Sequence, residues 1–126
     1  MILALVTGAT AGCAWKKRAQ QKREDSYQAA LRSYSEILKP GMTRKEVEDY
    51  FHAKNISFGQ LCCIDEWSAF ADLLKIGKEG HPWYCEEHNV YIAFQFGAVE
   101  HRDSAKADDS DSLKRVTIFH KLDGCL

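Results

Sequence analysis

The amino-acid sequence predicts an α+β fold, in which two N-terminal helices pack on one face of a sheet of three to four antiparallel strands. Two observations carry this prediction of a two-layer sandwich. Up to Leu38, apolar side chains recur every three or four residues, as on one face of a helix. After Asn55 the apolar period changes to two, which is typical of a half-buried strand. Helices that precede the strands in this way cover one face of a sheet.

Length and charge narrow the class of protein. The 126 residues indicate one domain, since domains commonly hold about 100–200 residues. The 17 basic and 18 acidic side chains leave a net charge of −1, so no nucleic-acid partner is expected. The sequence contains no phosphate loop, nucleotide fingerprint or nucleophile elbow. We therefore expect a protein that is not an enzyme and that needs no cofactor.

Three segments are predicted along the chain. Residues 1–15 are apolar or small and form an export signal or membrane anchor, residues 16–26 form a charged helical spacer, and residues 27–126 form the single α+β domain. The first segment is shorter than the roughly 20 residues that span a bilayer. It contains Ala9-Thr10-Ala11, which matches the small-x-small pattern of a signal-peptide cleavage site.

This N-terminus predicts an exported or membrane-attached protein of the cell envelope. Export would take the form of cleavage, lipidation of Cys13 or an uncleaved anchor; a mispredicted start codon and a frayed terminus are the alternatives to export. If the segment stays uncleaved, the basic run Lys16-Lys17-Arg18 would hold the domain on the cytoplasmic side by the positive-inside rule.

The first helix is predicted over residues 16–38. Its polar first part is expected to be a solvated, frayed spacer, and its second part carries an apolar stripe that faces the core. The stripe consists of Tyr27, Ala30, Leu31, Tyr34, Ile37 and Leu38. Pro40 ends this helix.

The second helix is predicted over residues 44–54, and its start is specified in detail. Pro40-Gly41 forms a turn, with Gly41 free to adopt a positive φ. Thr43 is the predicted N-cap, and Glu46 follows at the spacing of a capping box. Asn55 is the predicted left-handed residue that closes the helix.

The strands follow in the second half of the chain. They are predicted at residues 56–64, at 90–96, where alternation is clearest, and at 113–122. Residues 65–80 fit either a helix, by the spacing of Trp67, Phe70 and Leu74, or a turn at 65–68 followed by a strand, which is the favoured interpretation. In the last strand Val116, Ile118 and Leu122 are expected to point inward. Between the last two strands, residues 100–112 are polar and are predicted to form a solvated loop. Calcium binding is not expected there, because Asp108, Asp109 and Asp111 lack the pattern of a calcium loop.

The stretch from Leu38 to Phe51 resembles the "L-x-x-G-M-T-x-x-E-V" signature of the SmpA/OmlA (BamE-like) domain. It is also similar to the repeats of secreted β-lactamase-inhibitor proteins. The resemblance covers residues 30–64 and implies a helix–helix–sheet fold, an exported protein and a function in binding other proteins. It transfers no functional residues, because the matching positions are structural.

Cysteines and histidines are concentrated after residue 60. The four cysteines Cys62, Cys63, Cys85 and Cys125 are disulfide candidates, because an even count over neighbouring strands fits a disulfide framework. Successive strand residues point to opposite faces, so we expect Cys62 and Cys63 to pair separately, one with Cys85 and one with Cys125. Free buried thiols are the alternative.

A zinc site is a second interpretation of the same residues. Cys85 and His88 have a spacing that suits metal ligation, and Cys62 supplies a further thiolate. A nucleophilic Cys85 with a histidine base is a weaker alternative, because nothing else in the sequence supplies an oxyanion site.

Core packing is the default expectation for three aromatic residues in segments without clear burial periodicity. As an exposed patch they are candidates for contact with a protein partner, since Trp and Tyr dominate interface hot spots. They are Trp67, Trp83 and Tyr84. The first functional hypothesis is therefore a small non-catalytic protein-binding or scaffolding domain, whose partner is another protein, with membrane attachment through residues 1–15. The alternative is a zinc-binding protein that uses the Cys/His cluster.

Overall fold

The computed structural model describes residues 2–64, 70–97 and 107–126, with side chains described from residue 14 onward. It confirms the α+β class: two helices precede an antiparallel sheet of four strands whose spatial order is β1-β2-β3-β4. The elements are α1 Ile2–Ile37, α2 Arg44–Ala53, β1 Gly59–Leu61, β2 Ala71–Glu79, β3 Glu87–Gly97 and β4 Ser112–Asp123. Each strand pairs with its neighbour along the chain.

Helix α1 extends further toward the N-terminus than predicted, as one continuous helix of 36 residues. Side chains 16–26 are exposed apart from the half-buried Ala19, and Tyr27 (6% exposed) is the first buried side chain in the described part of this helix. Among the described residues, neither helix combines the length and the apolarity that crossing a bilayer requires. Ile37 was expected in the buried stripe, but it is 48% exposed, because the helix ends there and the chain turns away.

The joint between the helices has the predicted turn and capping box. Gly41 has a φ of 96°, and the Thr43 and Glu46 side chains cap each other's backbone at the start of α2. The same joint is tied to the start of β4: Gly41 N–H donates to Leu113 O at 2.9 Å, and Leu113 N–H donates to Met42 O at 2.8 Å. The turn therefore fixes both the angle between the helices and their position on the sheet.

The main core lies between the helices and one sheet face. Phe94 is at its centre, with its ring centroid 5.1 Å from that of Phe51 and 5.9 Å from that of Tyr34. Its buried members are Leu38, Val47, Phe51, Leu74, Ile92, Phe94, Phe96 and Leu113. The inward set of β3 follows the predicted alternation, because every second residue of a strand faces the same side.

The opposite sheet face carries a smaller cluster. Ala71, Leu73 and Ala93 are buried there, and the partly buried side chains Leu61, Ile64, Tyr91 and Phe119 pack against them. The sheet is therefore apolar on both faces over its central strands.

Three details of the strand predictions are corrected. Strand β1 has only three residues, because Ile56 and Phe58 pack on the helical core, and Ile56 N–H bonds to Phe51 O at 2.8 Å. Leu122 is 43% exposed, since it pairs with His88 near the end of the sheet, away from the core. Asp111 was expected in a solvated loop, but its side chain is fully buried.

Candidate functional site

The buried partner of Asp111 is Arg44, a residue that sequence patterning does not single out. Arg44 is 1% exposed; its Nε donates to Asp111 Oδ2 at 3.1 Å and its Nη1 donates to Asp72 Oδ1 at 2.9 Å. Its Nη2 donates to the Phe70 carbonyl oxygen, and the guanidinium carbon lies 4.1 Å from the centre of the Phe96 ring. One guanidinium thus connects α2, the start of β2 and the segment before β4.

Asp72 has a strongly shifted pKa. Burial, followed by the hydrogen bond and charge of the neighbouring Glu48, raises the pKa of the Asp72 carboxyl to about 8, although the Arg44 charge acts in the opposite direction. A shift of this kind can mark a functional site. Here Asp72 is fully buried against Arg44, so the shift reflects a structural charge cluster in which three carboxyl groups surround one guanidinium.

The predicted aromatic residues occupy the loop between β2 and β3. Trp83 is 88% exposed and Tyr84 is 44% exposed, and their rings meet edge to face at 5.8 Å. The C-terminal Leu126 is fully exposed, and its N–H donates to Tyr84 O at 2.8 Å. We call Trp83, Tyr84 and Leu126 the aromatic patch. Trp67, the third predicted aromatic, lies outside the described residues.

The loop that carries this patch is held at both ends. Cys85 N–H donates to Pro82 O at 3.0 Å within the loop, and Glu86 N–H donates to Asp123 O at 3.0 Å at the end of β4. The Cys85 side chain is buried beneath the patch and is paired with Cys125. The exposed rings therefore stand on a segment that is tied to the chain terminus.

Two acidic residues beside this loop are held by one buried amide. Asn89 Nδ2 donates to Glu87 Oε2 at 2.8 Å and to Asp123 Oδ2 at 2.7 Å. The hydrogen bond from Asn89 and the charge of Lys78 lower the pKa of Glu87. The hydrogen bonds from Lys121 and Asn89 lower the pKa of Asp123. Both carboxylates are thus ionised at neutral pH and pin the ends of β3 and β4 together.

The cysteines form two pairs at disulfide distance, which agrees with the predicted framework, but the expected connectivity is wrong. Cys85 pairs with Cys125, and Cys62 pairs with Cys63. The argument from strand geometry fails because β1 already ends at Leu61, so neither member of the second pair lies in a strand.

The predicted zinc ligands Cys62, Cys85 and His88 are not brought together. Cys62 follows the end of β1 that pairs with Ala71, whereas Cys85 and His88 lie near the other end of β2, roughly 25 Å away along the strand. Within the described ranges there is no group of three or more His, Cys, Asp or Glu side chains that could hold a metal ion. His88 instead lies beside His120, with 2.8 Å between His88 Nε2 and His120 Nδ1.

A shallow cavity of about 370 Å³ lies on the sheet face opposite the helices. Its apolar floor is formed by Leu61, Leu73 and Tyr91, and Lys75 and Lys121 stand at its edge.

Comparison of the chain with protein families, with curated proteins and with solved structures gives no match. The similarity of residues 38–51 to the SmpA/OmlA signature therefore stays a prediction, neither supported nor contradicted.

Proposed function

We propose that this chain is a small non-catalytic protein-binding or scaffolding domain, exported or membrane-attached, that engages another protein through the aromatic patch. The observation that carries the proposal is the exposure of Trp83, at 88%, on a loop that backbone hydrogen bonds and a cysteine pair hold in place. A tryptophan in this position exposes a large apolar surface to water, and such side chains supply much of the binding energy when a partner buries them.

The fixed loop favours binding for an additional reason. When binding orders a mobile loop, the lost conformational freedom weakens association by roughly 0.5–1.5 kcal/mol for each immobilised side chain. The Leu126–Tyr84 hydrogen bond and the Cys85–Cys125 pair remove part of that cost before the partner arrives. The partner is expected to present an apolar pocket, because Trp83 and Tyr84 offer ring faces and edges.

Two features support the proposed location. Four cysteines at disulfide distance fit an oxidising compartment, where such bridges persist. Residues 1–15 are apolar or small and contain Ala9-Thr10-Ala11, which matches the small-x-small pattern of a signal-peptide cleavage site. Intact-mass measurement of the protein from its native host tests this location, because cleavage, lipid and disulfides each change the mass.

Chemical crosslinking in the native host tests the function. The Trp83→Ala/Tyr84→Ala double variant is expected to lose a crosslinked partner that the parent protein retains. Ile37→Ala is the matched control, because Ile37 is also an exposed apolar side chain (48%) but lies at the end of α1. Retention of the same partner by the double variant, at parental yield, would contradict the proposal.

A further inference from the structure

We propose that His88 and His120 form a binding site for a transition-metal cation of the zinc class, at the end of the sheet next to the β2–β3 loop. The two rings come from adjacent strands, β3 and β4, and His88 Nε2 lies 2.8 Å from His120 Nδ1. Neutral imidazole nitrogen is a preferred ligand of Zn²⁺. This inference goes beyond the proposed protein-binding function and does not depend on the aromatic patch.

The second nitrogen of His88 fixes its tautomer. His88 Nδ1 lies 3.1 Å from the carbonyl oxygen of Gly80, and a carbonyl oxygen can only accept a hydrogen bond. Nδ1 therefore carries the proton, and the lone pair of the neutral ring is on Nε2, directed at His120. A metal-ligating histidine commonly has this arrangement, with its other N–H donated to a backbone carbonyl.

The metal would replace the proton between the two rings. Without metal, His120 Nδ1–H donates to the lone pair of His88 Nε2. When the cation binds, the His120 proton moves to its own Nε2, and both facing nitrogens then present lone pairs to the metal. The rings stay neutral, so the total number of protons on the pair is unchanged.

The geometry requires only a small adjustment. Zn–N bonds of about 2.0–2.1 Å in a tetrahedral arrangement place two nitrogens about 3.3 Å apart. The rings must therefore separate by about half an ångström from their distance of 2.8 Å. His120 is exposed and His88 is half-buried, so side-chain rotation can supply this movement.

Open space lies beside one member of the pair. His120, though not His88, lines a cavity of about 300 Å³ together with Glu24, Tyr27 and Glu79. Glu79 is engaged by α1, since its Oε2 accepts from Arg23 Nε at 2.7 Å and from Tyr27 Oη at 3.0 Å. Water therefore completes the coordination. With two protein ligands the site is open, and it binds more weakly than a closed four-ligand site.

Isothermal titration calorimetry with zinc chloride tests the site on the full chain without an affinity tag. The parent is expected to bind one Zn²⁺, and His88→Gln and His120→Gln are each expected to weaken binding at least about tenfold. His52→Gln and His81→Gln are the controls, because these two histidines lie outside the pair. Binding that is unchanged in the His88 and His120 variants, or equally weakened in the controls, would overturn the proposal. No detectable binding to the folded parent at about 1 mM zinc would overturn it too.

Nitrogen-15 NMR of the imidazole rings adds a test that needs no variant. Zinc is expected to move the His120 ring proton from Nδ1 to Nε2 and to leave the His88 tautomer unchanged. Loss of the Nδ1–H form of His88 on zinc binding would contradict the proposed coordination. If a variant that has lost zinc binding still binds its protein partner normally, the function proposed for the aromatic patch is unaffected.

Discussion

Arg44 Nη1 donates a hydrogen bond to Asp72 Oδ1 at 2.9 Å in the interior of the domain, where the two side chains are 1% and 0% exposed. The pair joins the first turn of α2 to the second residue of β2, across 28 positions of sequence. Asp111 completes the cluster from a third segment. Buried charges are tolerated only when they are paired, so the helix, the strand and the segment before β4 hold one another in place.

Arg44→Met is expected to lower the free energy of unfolding by about 3–5 kcal/mol, because it leaves buried carboxyl groups without their cation. Lys45→Met is the control on the adjacent residue: Lys45 pairs with Asp49 on the surface, where an ion pair contributes little, so this variant should unfold nearly like the parent. Urea denaturation of both variants measures the difference. Equal stability of the two variants would show that Arg44 is not the buried cation described here.

The raised pKa of Asp72 predicts a particular dependence of stability on pH. Its carboxyl has a pKa of about 8 in the folded protein, against 3.8 ordinarily, so the folded state binds more protons between these values. The contribution of Asp72 to stability is therefore fully present below about pH 4 and is lost as the pH rises to about 8.

Asp72→Asn is expected to flatten the fall in the free energy of unfolding between pH 5 and pH 8, because the amide does not titrate. Asp49→Asn, a change at an exposed carboxylate, should leave the slope of the parent unchanged. Urea unfolding at several pH values gives the two slopes. If the free energy of unfolding of the Asp72 variant falls with pH as steeply as that of the parent, the pH dependence comes from other groups.

Disulfide mapping is expected to return the observed pairs rather than those inferred from strand geometry. Trypsin digestion without reduction should link the peptide of residues 79–102, which contains Cys85, to the peptide of residues 122–126. Cys62 and Cys63 should remain within the single peptide of residues 55–75. A crosslink from that peptide to either of the other two would contradict the observed pairing.

Thr43→Ala is expected to lower the free energy of unfolding by about 0.5–2 kcal/mol, because it removes the side chain that accepts from Glu46 N–H at 3.2 Å. Ser33→Ala is the matched control, since Ser33 is exposed within α1, where alanine is well tolerated. Chemical denaturation measures both. If the Thr43 variant unfolds like the control, the cap does not contribute to stability.

Local patterns in the sequence predicted much of this fold. The turn at Gly41, the cap at Thr43 and the alternating faces of β3 depend on neighbours within a few residues, and each appears as expected. Core packing was the default expectation for Trp83 and Tyr84 and is wrong, because both side chains are exposed; their segment has no clear periodicity from which exposure could be predicted.

Long-range pairing could not be predicted in the same way. In sequence, Arg44 resembles an ordinary exposed residue in the first turn of a helix. Nothing near it indicates that Asp72 and Asp111 will meet it, from 28 and 67 residues away. The contact between His88 and His120 depends in the same way on the register of β3 and β4, which places Val90 opposite His120. Register is set by the whole hydrophobic face, so a single residue does not reveal it.

The agreement between strand order and chain order has a consequence for the protein during its synthesis. β1, β2 and β3 can pair as soon as each has left the ribosome, because no strand waits for a distant one. Arg44 then has Asp72 beside it but still lacks Asp111, which precedes β4 and is made 67 residues after Arg44. The nascent domain therefore lacks one of the carboxyl groups that bond to Arg44 until the segment before β4 is made, and that segment also brings Leu113 to the turn at Gly41. Closure of the domain is thus a late event that the final strand completes.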